Sequence, residues 1–443
     1  MPPDHHFYDQ ALETAGREDL RRHQDERLRR LAHAIRDNAF YRERLSANGA
    51  DPAARGLEDL GKIPFTTKAE LAEDQRAFPP FGRLLADPHS HYPYIHQTSG
   101  TSGNPLLWLD TADDWETWLR CWGYVYRAAG VTERDTAFFA FSFGPYVSHW
   151  AALDGARRLG VRCLPGGGMS SLQRVQAILD HRATVVLSTP TYALRLAEVA
   201  RENGLDLASG AVRATIHAGE PGASVPHVRG CIESAWGACC FDHAGATELG
   251  AWGFECAAHP GAIHLNEAEF VFEVIDPATG AAAAPGEIDA PAELVATALG
   301  RAGMPAVRYR TGDLVLLDRE PCPCGRTFAR ARGGVLGRTD DMLIVRGVNV
   351  YPATIDDLVR SHVGAAEYEV EVTRVGGLDE LLLKIEAPDA AADSALNTDT
   401  LDQVERTILR RLNIRVAVRR VPLGSLPRYE LKARRYKRKE DRA

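Results

Sequence analysis

The run Val161-Arg-Cys-Leu164, Ser171 to His181, Thr184-Val-Val-Leu-Ser188, Thr191 to Asn203, Ala214-Thr-Ile-His217 decides the fold class. Its short apolar runs, rich in Val and Ile, predict strands, and the longer stretches between them carry apolar residues at helical spacing. Single helices between successive strands predict parallel βαβ units, with functional loops at the strand ends. Toward the N-terminus, Ala151 to Leu159 predicts another helix, Thr136 to Phe143 an apolar, aromatic-rich strand, and Trp115 to Ala129 a helix. Ile63-Pro-Phe-Thr-Thr-Lys-Ala-Glu-Leu71 predicts a loop in which Thr66 or Thr67 caps a short helix containing Lys68. Asp19 to Leu45 has the periodicity of one amphipathic helix.

Beyond Gly261 the texture changes to strand and turn, with Phe270 to Ile275, Glu293 to Ala298 and Asp313 to Leu317 separated by Pro and Gly. This predicts a β-rich subdomain. Gly337-Arg-Thr-Asp-Asp341 is a polar joint, after which helices from Ala353 and Leu401 and strands near 367–375, 380–385 and 416–421 predict a compact α+β unit. The expected fold is α/β: a large N-terminal domain over residues 1–337, with mixed and parallel sheets flanked by helices, and a small mobile α+β domain over residues 338–443.

A chain of 443 residues exceeds one typical core, which fits this division. The net charge of −8 gives no general drive toward nucleic acid or anionic membrane. Met1-Pro-Pro-Asp-His-His lacks a basic region followed by an apolar core, and the most apolar window, Ala137 to Ala156, is broken by Pro, Gly, His and Asp. A cytoplasmic protein with no membrane partner is expected. Eight cysteines in that setting point to free thiols or metal rather than disulfides.

Thr98-Ser-Gly-Thr-Ser-Gly-Asn-Pro105 lies between two apolar runs, His91 to Gln97 and Leu106 to Leu109, that predict strands. Gly100 and Gly103 allow a sharp turn and close approach of a ligand, while Thr98, Ser99, Thr101 and Ser102 add hydroxyls to main-chain N–H groups in an anion-binding concavity. The Walker signature is absent, because Asn104 follows Gly103 where a lysine would stand. Cys256-Ala-Ala-His259 and Cys322-Pro-Cys-Gly325 offer three thiols and an imidazole, the donor set of a closed structural zinc site. His264 is the alternative nitrogen ligand, and Cys121, Cys163, Cys231, Cys239 and Cys240 are expected to pack as small buried hydrophobes.

These runs, with Ala218-Gly-Glu220, Asp242-His-Ala-Gly-Ala-Thr-Glu248, Tyr309-Arg-Thr-Gly-Asp-Leu314, Gly337 to Pro352 and Leu426-Pro-Arg-Tyr-Glu-Leu-Lys-Ala-Arg434, resemble the adenylate-forming superfamily, specifically its phenylacetate-CoA ligase-like branch. The resemblance spans nearly the whole chain. It implies ATP-dependent activation of a carboxylic acid through an acyl-adenylate, followed by transfer to coenzyme A. By that resemblance Thr98 to Gly103 hold the β- and γ-phosphates, and Gly219, Glu220, Asp242, His243, Ala244, Thr247, Asp313 and Arg338 bind ATP or AMP. Asp313 takes the ribose hydroxyls, Glu248 holds Mg²⁺, Asp340 is the hinge, and Lys432 is the catalytic lysine. Relatives with similar cysteine patterns bind zinc.

Two departures stand out. Asn104 removes a charge from the phosphate loop, and Ala244 replaces the aromatic residue that stacks on adenine in many relatives. Phe138 to Trp150 is unusually aromatic and corresponds to the acyl pocket of the resembled family, so Phe141, Phe143, Tyr146, His149, Ala218 and Gly245 are the expected substrate contacts. Rings there suit phenylacetate, benzoate, or an amino- or hydroxybenzoate. Transfer to an amine or a carrier-protein thiol, a homodimer, and a nucleotide-binding homologue without catalysis all stay open at this level.

Overall fold

The computed structural model describes residues 6–36, 38–47, 56–86, 91–98, 105–282, 290–341, 343–345, 348–364, 366–375, 378–386, 398–429 and 433–439. The N-terminal part is helical: α1 (Gln10–Glu13), α2 (Arg17–Arg36), α3 (Ala39–Ala47), α4 (Leu57–Leu60) and α5 (Lys68–Ala77). The single helix expected over Asp19 to Leu45 is therefore two. Asn38 divides them, because its Oδ1 accepts the Tyr41 N–H at 3.1 Å and its Nδ2 donates to the Leu84 carbonyl at 2.7 Å. At α5 the capping expectation is met by Thr67, whose side chain accepts the Glu70 N–H while the Glu70 carboxylate accepts the Thr67 N–H.

The antiparallel pair β1 (Tyr94–Gln97) and β2 (Leu107–Asp110) frames the hydroxyl-rich loop. It is followed by α6 (Ala112–Ala128), β3 (Thr136–Phe139), α7 (Val147–Arg158), β4 (Arg162–Pro165), α8 (Ser171–Asp180), β5 (Val185–Ser188), α9 (Pro190–Glu202), β6 (Ala214–His217) and α10 (Pro226–Trp236). The strand expected over Thr136 to Phe143 stops at Phe139. Gly144, at φ +49°, and Pro145 turn the chain, and α7 starts at Val147 rather than Ala151. Phe141, Phe143 and Tyr146 consequently leave the sheet.

The chain continues with β7 (Cys239–Ala246), β8 (Gly250–Glu255), β9 (Ala262–Leu265), β10 (Phe270–Ile275), β11 (Ala292–Ala298), β12 (Tyr309–Asp318) and β13 (Arg330–Arg338). Among the described residues these join the earlier strands in one eleven-stranded sheet, ordered β10-β11-β12-β13-β9-β8-β7-β6-β5-β3-β4. Strands β3 to β7 pair in parallel, and from β7 onward pairing is antiparallel. The β-rich part is thus continuous with the βαβ part. Two apolar cores flank this sheet: one gathers α2, α3 and α6, the other α8, α9 and α10.

The C-terminal unit comprises β14 (Leu343–Val345), β15 (Val348–Val350), α11 (Pro352–Val363), β16 (Tyr368–Val375), β17 (Leu378–Glu386), α12 (Thr398–Leu412), β18 (Ala417–Val421) and β19 (Tyr436–Lys439). Four of these strands form a separate sheet, ordered β18-β17-β16-β19. Val359, Val370, Leu383, Val404 and Ile408 belong to a core built wholly from this part of the chain. No helix among the described residues is long and apolar enough to cross a membrane.

Helix α7 approaches α6 closely through Gly155, where an added Cβ would stand 2.6 Å from Trp122 Cβ. Because the obstacle is the root of a fixed side chain, the helices would have to part. Gly155→Val is expected to cost about 1–3 kcal/mol, read as a lowered urea midpoint. A midpoint equal to wild type would contradict this packing.

Candidate active site

Parallel pairing of β6 with β7 sets His217 opposite Asp242, so the loops that follow both strands open on the same side of the sheet. After β6 come Ala218, Gly219 and Glu220. Gly219 sits at φ +92°, a conformation that costs glycine nothing and other residues a steric clash. The Glu220 carboxylate accepts the Thr191 N–H at 2.9 Å and the Ala433 N–H at 2.8 Å. Asp242 is buried, accepting from Ser224 Oγ and from the His243 N–H, and burial pushes its carboxyl up to about 6 against those hydrogen bonds. His243 packs inward, edge-on to Trp122 at 4.6 Å, with Nδ1 on the Gly253 carbonyl. Burial pushes its imidazole down to about 4, so the ring is neutral. Ala244 is buried beside it. At Gly245 a Cβ would lie 2.9 Å from the Gly250 carbonyl oxygen, which closes this turn to larger residues.

Glu248 follows in that turn, 4% exposed. Its Oε1 accepts the Tyr309 hydroxyl at 3.0 Å and faces Lys68 Nζ at 3.6 Å, while Oε2 has no hydrogen-bond partner among the described residues. Burial and the neighbouring Glu248 charge both hold the Tyr309 phenol well above its ordinary value, so it stays a donor. The carbonyl of Thr247 receives Arg301 Nη1 at 2.9 Å, and Arg301 Nε donates to Asp110 Oδ1 at 2.9 Å. Trp108 and Trp118 lie 5.5 and 5.1 Å from the same guanidinium, which suits cation–π contact. The end of β2 is thereby tied to the turn that carries Glu248.

Thr98 closes the base of the hydroxyl-rich loop: its N–H donates to the Leu106 carbonyl, and its Oγ1 accepts the Leu106 N–H at 3.0 Å. Ser99, Gly100, Thr101, Ser102, Gly103 and Asn104 lie outside the described residues, as does Lys432. The Gln97 N–H donates to the Pro145 carbonyl at 2.9 Å, which fixes the aromatic segment to the foot of this loop. In that segment Phe141 stacks on His149 at 4.1 Å, and Phe143 and Tyr146 meet this pair edge-on. His149 Nδ1 lies 2.8 Å from the Ser142 carbonyl, which assigns the proton to Nδ1 and a lone pair to Nε2. Burial lowers its pKa and keeps the ring neutral. Ala218 is half-buried.

Asp313 and Arg338 are cross-strand partners on β12 and β13, joined at 3.0 Å. Arg338 Nε also reaches Asp340 at 2.8 Å. Burial opposes the Arg338 charge, but the Asp313 and Asp340 carboxylates outweigh it and hold its pKa above the ordinary value. The strand pair, the expected ribose acid and the expected hinge acid are therefore one connected unit.

The cysteine cluster corrects one expectation. Cys256, His264, Cys322 and Cys324 bring their ligand atoms within 4.8 Å of one another. His259, expected as the nitrogen ligand, instead sets Nδ1 3.1 Å from Arg330 Nη1. Register explains the choice: β8 pairs antiparallel with β9 and places His264 opposite Phe254, near the end of the strand that leads into Cys256. His259 sits in the intervening turn. Cys121 and Cys240 are buried as expected and Cys163 and Cys231 half-buried, but Cys239 is exposed because it opens β7 at the sheet end.

Lys68 and Tyr309 lie in motif runs legible in the sequence, yet only the fold shows that both meet Glu248. Arg301 and Thr191 carry no motif signal; Arg301 meets Asp110 across 191 residues of chain, a contact that only the fold creates.

Residues 347–439 match the family described as the AMP-binding enzyme C-terminal domain. The structure is similar to a 2-hydroxyisobutyryl-CoA ligase in the postadenylation state in complex with R3-HIB-AMP, with a TM-score of 0.91 and 30% identity over 99% of this chain and 94% of the other. The same ligase with 2-HIB-AMP and CoA in the thioesterification state gives 0.73 at 31% identity, covering 100% of this chain and 94% of the other. Fold and site define an AMP-forming acid–thiol ligase of the adenylate-forming superfamily. The phenylacetate-coenzyme A ligase of Thermus thermophilus is 34% identical, covering 96% of this chain and 97% of its own length. This chain belongs to the phenylacetate-CoA ligase family.

Arg301 and Asp110 are each 1% exposed at the side chain. Arg301→Gln would leave Asp110 without its counter-charge and release the Thr247 carbonyl, with an expected cost of about 3–5 kcal/mol. Equilibrium denaturation in urea measures it, and an unshifted midpoint would dismiss the pair as a support of the site.

Proposed function

We propose that this chain activates an aryl carboxylic acid with ATP and passes the acyl group to coenzyme A. The observation that carries this reading is the hydrogen bond from Gln97 to Pro145, which sets a cluster of Phe141, Phe143, Tyr146 and His149 at the foot of the hydroxyl-rich loop. A cluster of rings beside a loop suited to phosphate fits an aromatic acid whose carboxylate meets the α-phosphorus of ATP. A carboxylate oxygen attacks that phosphorus, the bond to pyrophosphate breaks, and an acyl-adenylate forms. The coenzyme A thiol then attacks the acyl carbonyl, loses its proton, and AMP leaves.

Each role follows from charge and placement. The loop from Thr98 to Gly103 takes the β- and γ-phosphates, with Lys68 near Glu248 as the nearby cation that offsets Asn104. Asp313, held by Arg338, accepts the ribose hydroxyls. Gly219, Thr247 and Ala244 contribute backbone walls around the nucleotide. Glu248 fits a Mg²⁺ ligand, since it is an oxygen donor with Oε2 unpartnered among the described residues. Bound there, the ion would neutralise phosphate charge. Lys432, a point cation, stabilises charge shared between the attacking carboxylate and the α-phosphate. Asp340 serves as the hinge that lets the C-terminal unit serve both steps. His149 Nε2, an acceptor, suits a ring bearing a hydroxyl or amino donor.

Acid-dependent pyrophosphate exchange tests this with phenylacetate, benzoate, hydroxy- and aminobenzoates, and 2-hydroxyisobutyrate. Exchange with one or more aryl acids is expected, falling about 10²-fold or more in Lys432→Ala. Exchange confined to 2-hydroxyisobutyrate would overturn the aryl assignment, and wild-type exchange in the variant would remove Lys432 from the chemistry.

The cluster of Cys256, His264, Cys322 and Cys324 fits a structural zinc ion, because three thiols and one imidazole complete a tetrahedral shell with no open position. Metal analysis of protein purified without chelator is expected to give about one equivalent of zinc per chain. His264→Ala should lower that figure and the melting temperature, whereas His259→Ala should leave both unchanged. Equal effects of the two substitutions would reject the ligand set.

A further inference from the structure

We infer that Glu220 is a positioning residue for adenylate formation: its carboxylate latches the C-terminal unit onto helix α9 in the pose of the first half-reaction. One oxygen, Oε1, accepts the Thr191 N–H at the N-terminal turn of α9, and the other, Oε2, accepts the Ala433 N–H. A carboxylate at a helix N-terminus that gathers two main-chain donors forms charge-assisted hydrogen bonds. Ala433 directly follows Lys432 in the sequence. The latch therefore grips the residue next in sequence to the proposed catalytic lysine.

Neighbouring contacts share the same edge of the large domain. Arg435 Nη1 donates to Thr191 Oγ1 at 3.3 Å, while its Nη2 reaches Glu367 at 3.2 Å within the C-terminal unit. Thr191 is 6% and Arg435 8% exposed, so this part of the seam is buried, while Glu220 and Ala433 are half-buried. Two turns along α9, Glu198 stands 3.5 Å from Arg428, whose other partner is Glu386 of β17. Helix α11 also packs on α10. Glu220 differs from these partners because it grips backbone rather than side chain, and does so beside the proposed catalytic lysine.

The latched pose is the one that resembles the postadenylation structure at a TM-score of 0.91, against 0.73 for the thioesterification structure. A difference of that size is what about a quarter of the chain, the share beyond Gly337, would produce by standing elsewhere. A latch confined to one pose speeds the step made there and must open for the next. Loss of Glu220 therefore separates the half-reactions. This inference rests on the reading that Lys432 acts in adenylate formation.

The test compares wild type, Glu220→Ala and Glu220→Gln in two assays with phenylacetate. Glu220→Ala is expected to lower ATP–pyrophosphate exchange at least tenfold through kcat rather than the KM for ATP. Thioester formation from supplied phenylacetyl-adenylate and coenzyme A should fall clearly less than exchange does, or rise. Glu220→Gln, which keeps an acceptor oxygen, should recover part of the exchange. Equal losses in both assays, or a loss confined to the KM for ATP, would overturn the latch in favour of a structural or nucleotide-binding role. Hydrogen exchange at the Ala433 amide gives a readout independent of chemistry: protection in wild type and faster exchange in Glu220→Ala are expected, and equal rates would refute the contact. Absence of pyrophosphate exchange in wild type with phenylacetate and with every other aryl acid of the panel would count against the proposed function, and amide exchange would still decide the latch.

Discussion

Strand β7 is the constraint on which the rest depends. It hydrogen-bonds to β6 in parallel and to β8 antiparallel, so one backbone ladder joins a βαβ half to a meander half. Parallel pairing sends the loops after β6 and β7 out on one side, which brings Ala218 to Glu220 near Asp242 to Glu248. Antiparallel pairing then carries the chain through β8 and β9, which assembles the cysteine–histidine cluster. Slipping β7 by one residue would send Asp242 and His243 each to the other face of the sheet and dissolve both arrangements.

Around this seam the buried charges are paired rather than scattered. Arg301 joins Asp110 to the Thr247 carbonyl, and Arg229 grips Glu255, which in turn accepts the Asp242 N–H. Each pair gives up hydration on burial, and each recovers it through several directed hydrogen bonds. Their effect is positional: they hold the ends of β2 and β7 in a fixed relation. A site that must serve two reactions needs such a rigid floor.

Much of the organisation was legible in the residues. The βαβ alternation, the capping by Thr67 and the spacing of the motif runs could be read from the residues, since these are local properties of the chain. The boundaries that failed did so for local reasons that periodicity ignores. Asn38 competes for backbone hydrogen bonds and splits a helix, and Gly144 with Pro145 ends a strand whose aromatic residues alone would have extended it. The loop from Ser99 to Asn104 and Lys432 belong to the site by resemblance, and their geometry lies outside the described residues.

Sequence alone determined the class of fold, the βαβ alternation through His217, the donor types available to nucleotide and metal, and, set against the resembled family, the two departures at Asn104 and Ala244. These follow from side-chain chemistry and short-range pattern. Tertiary structure decided which donors meet. It set His264 rather than His259 beside the thiols, Tyr309 and Lys68 on Glu248, and Glu220 on the Ala433 amide. Each of these contacts joins residues on different elements, and strand register and packing, which no local pattern encodes, select the partner.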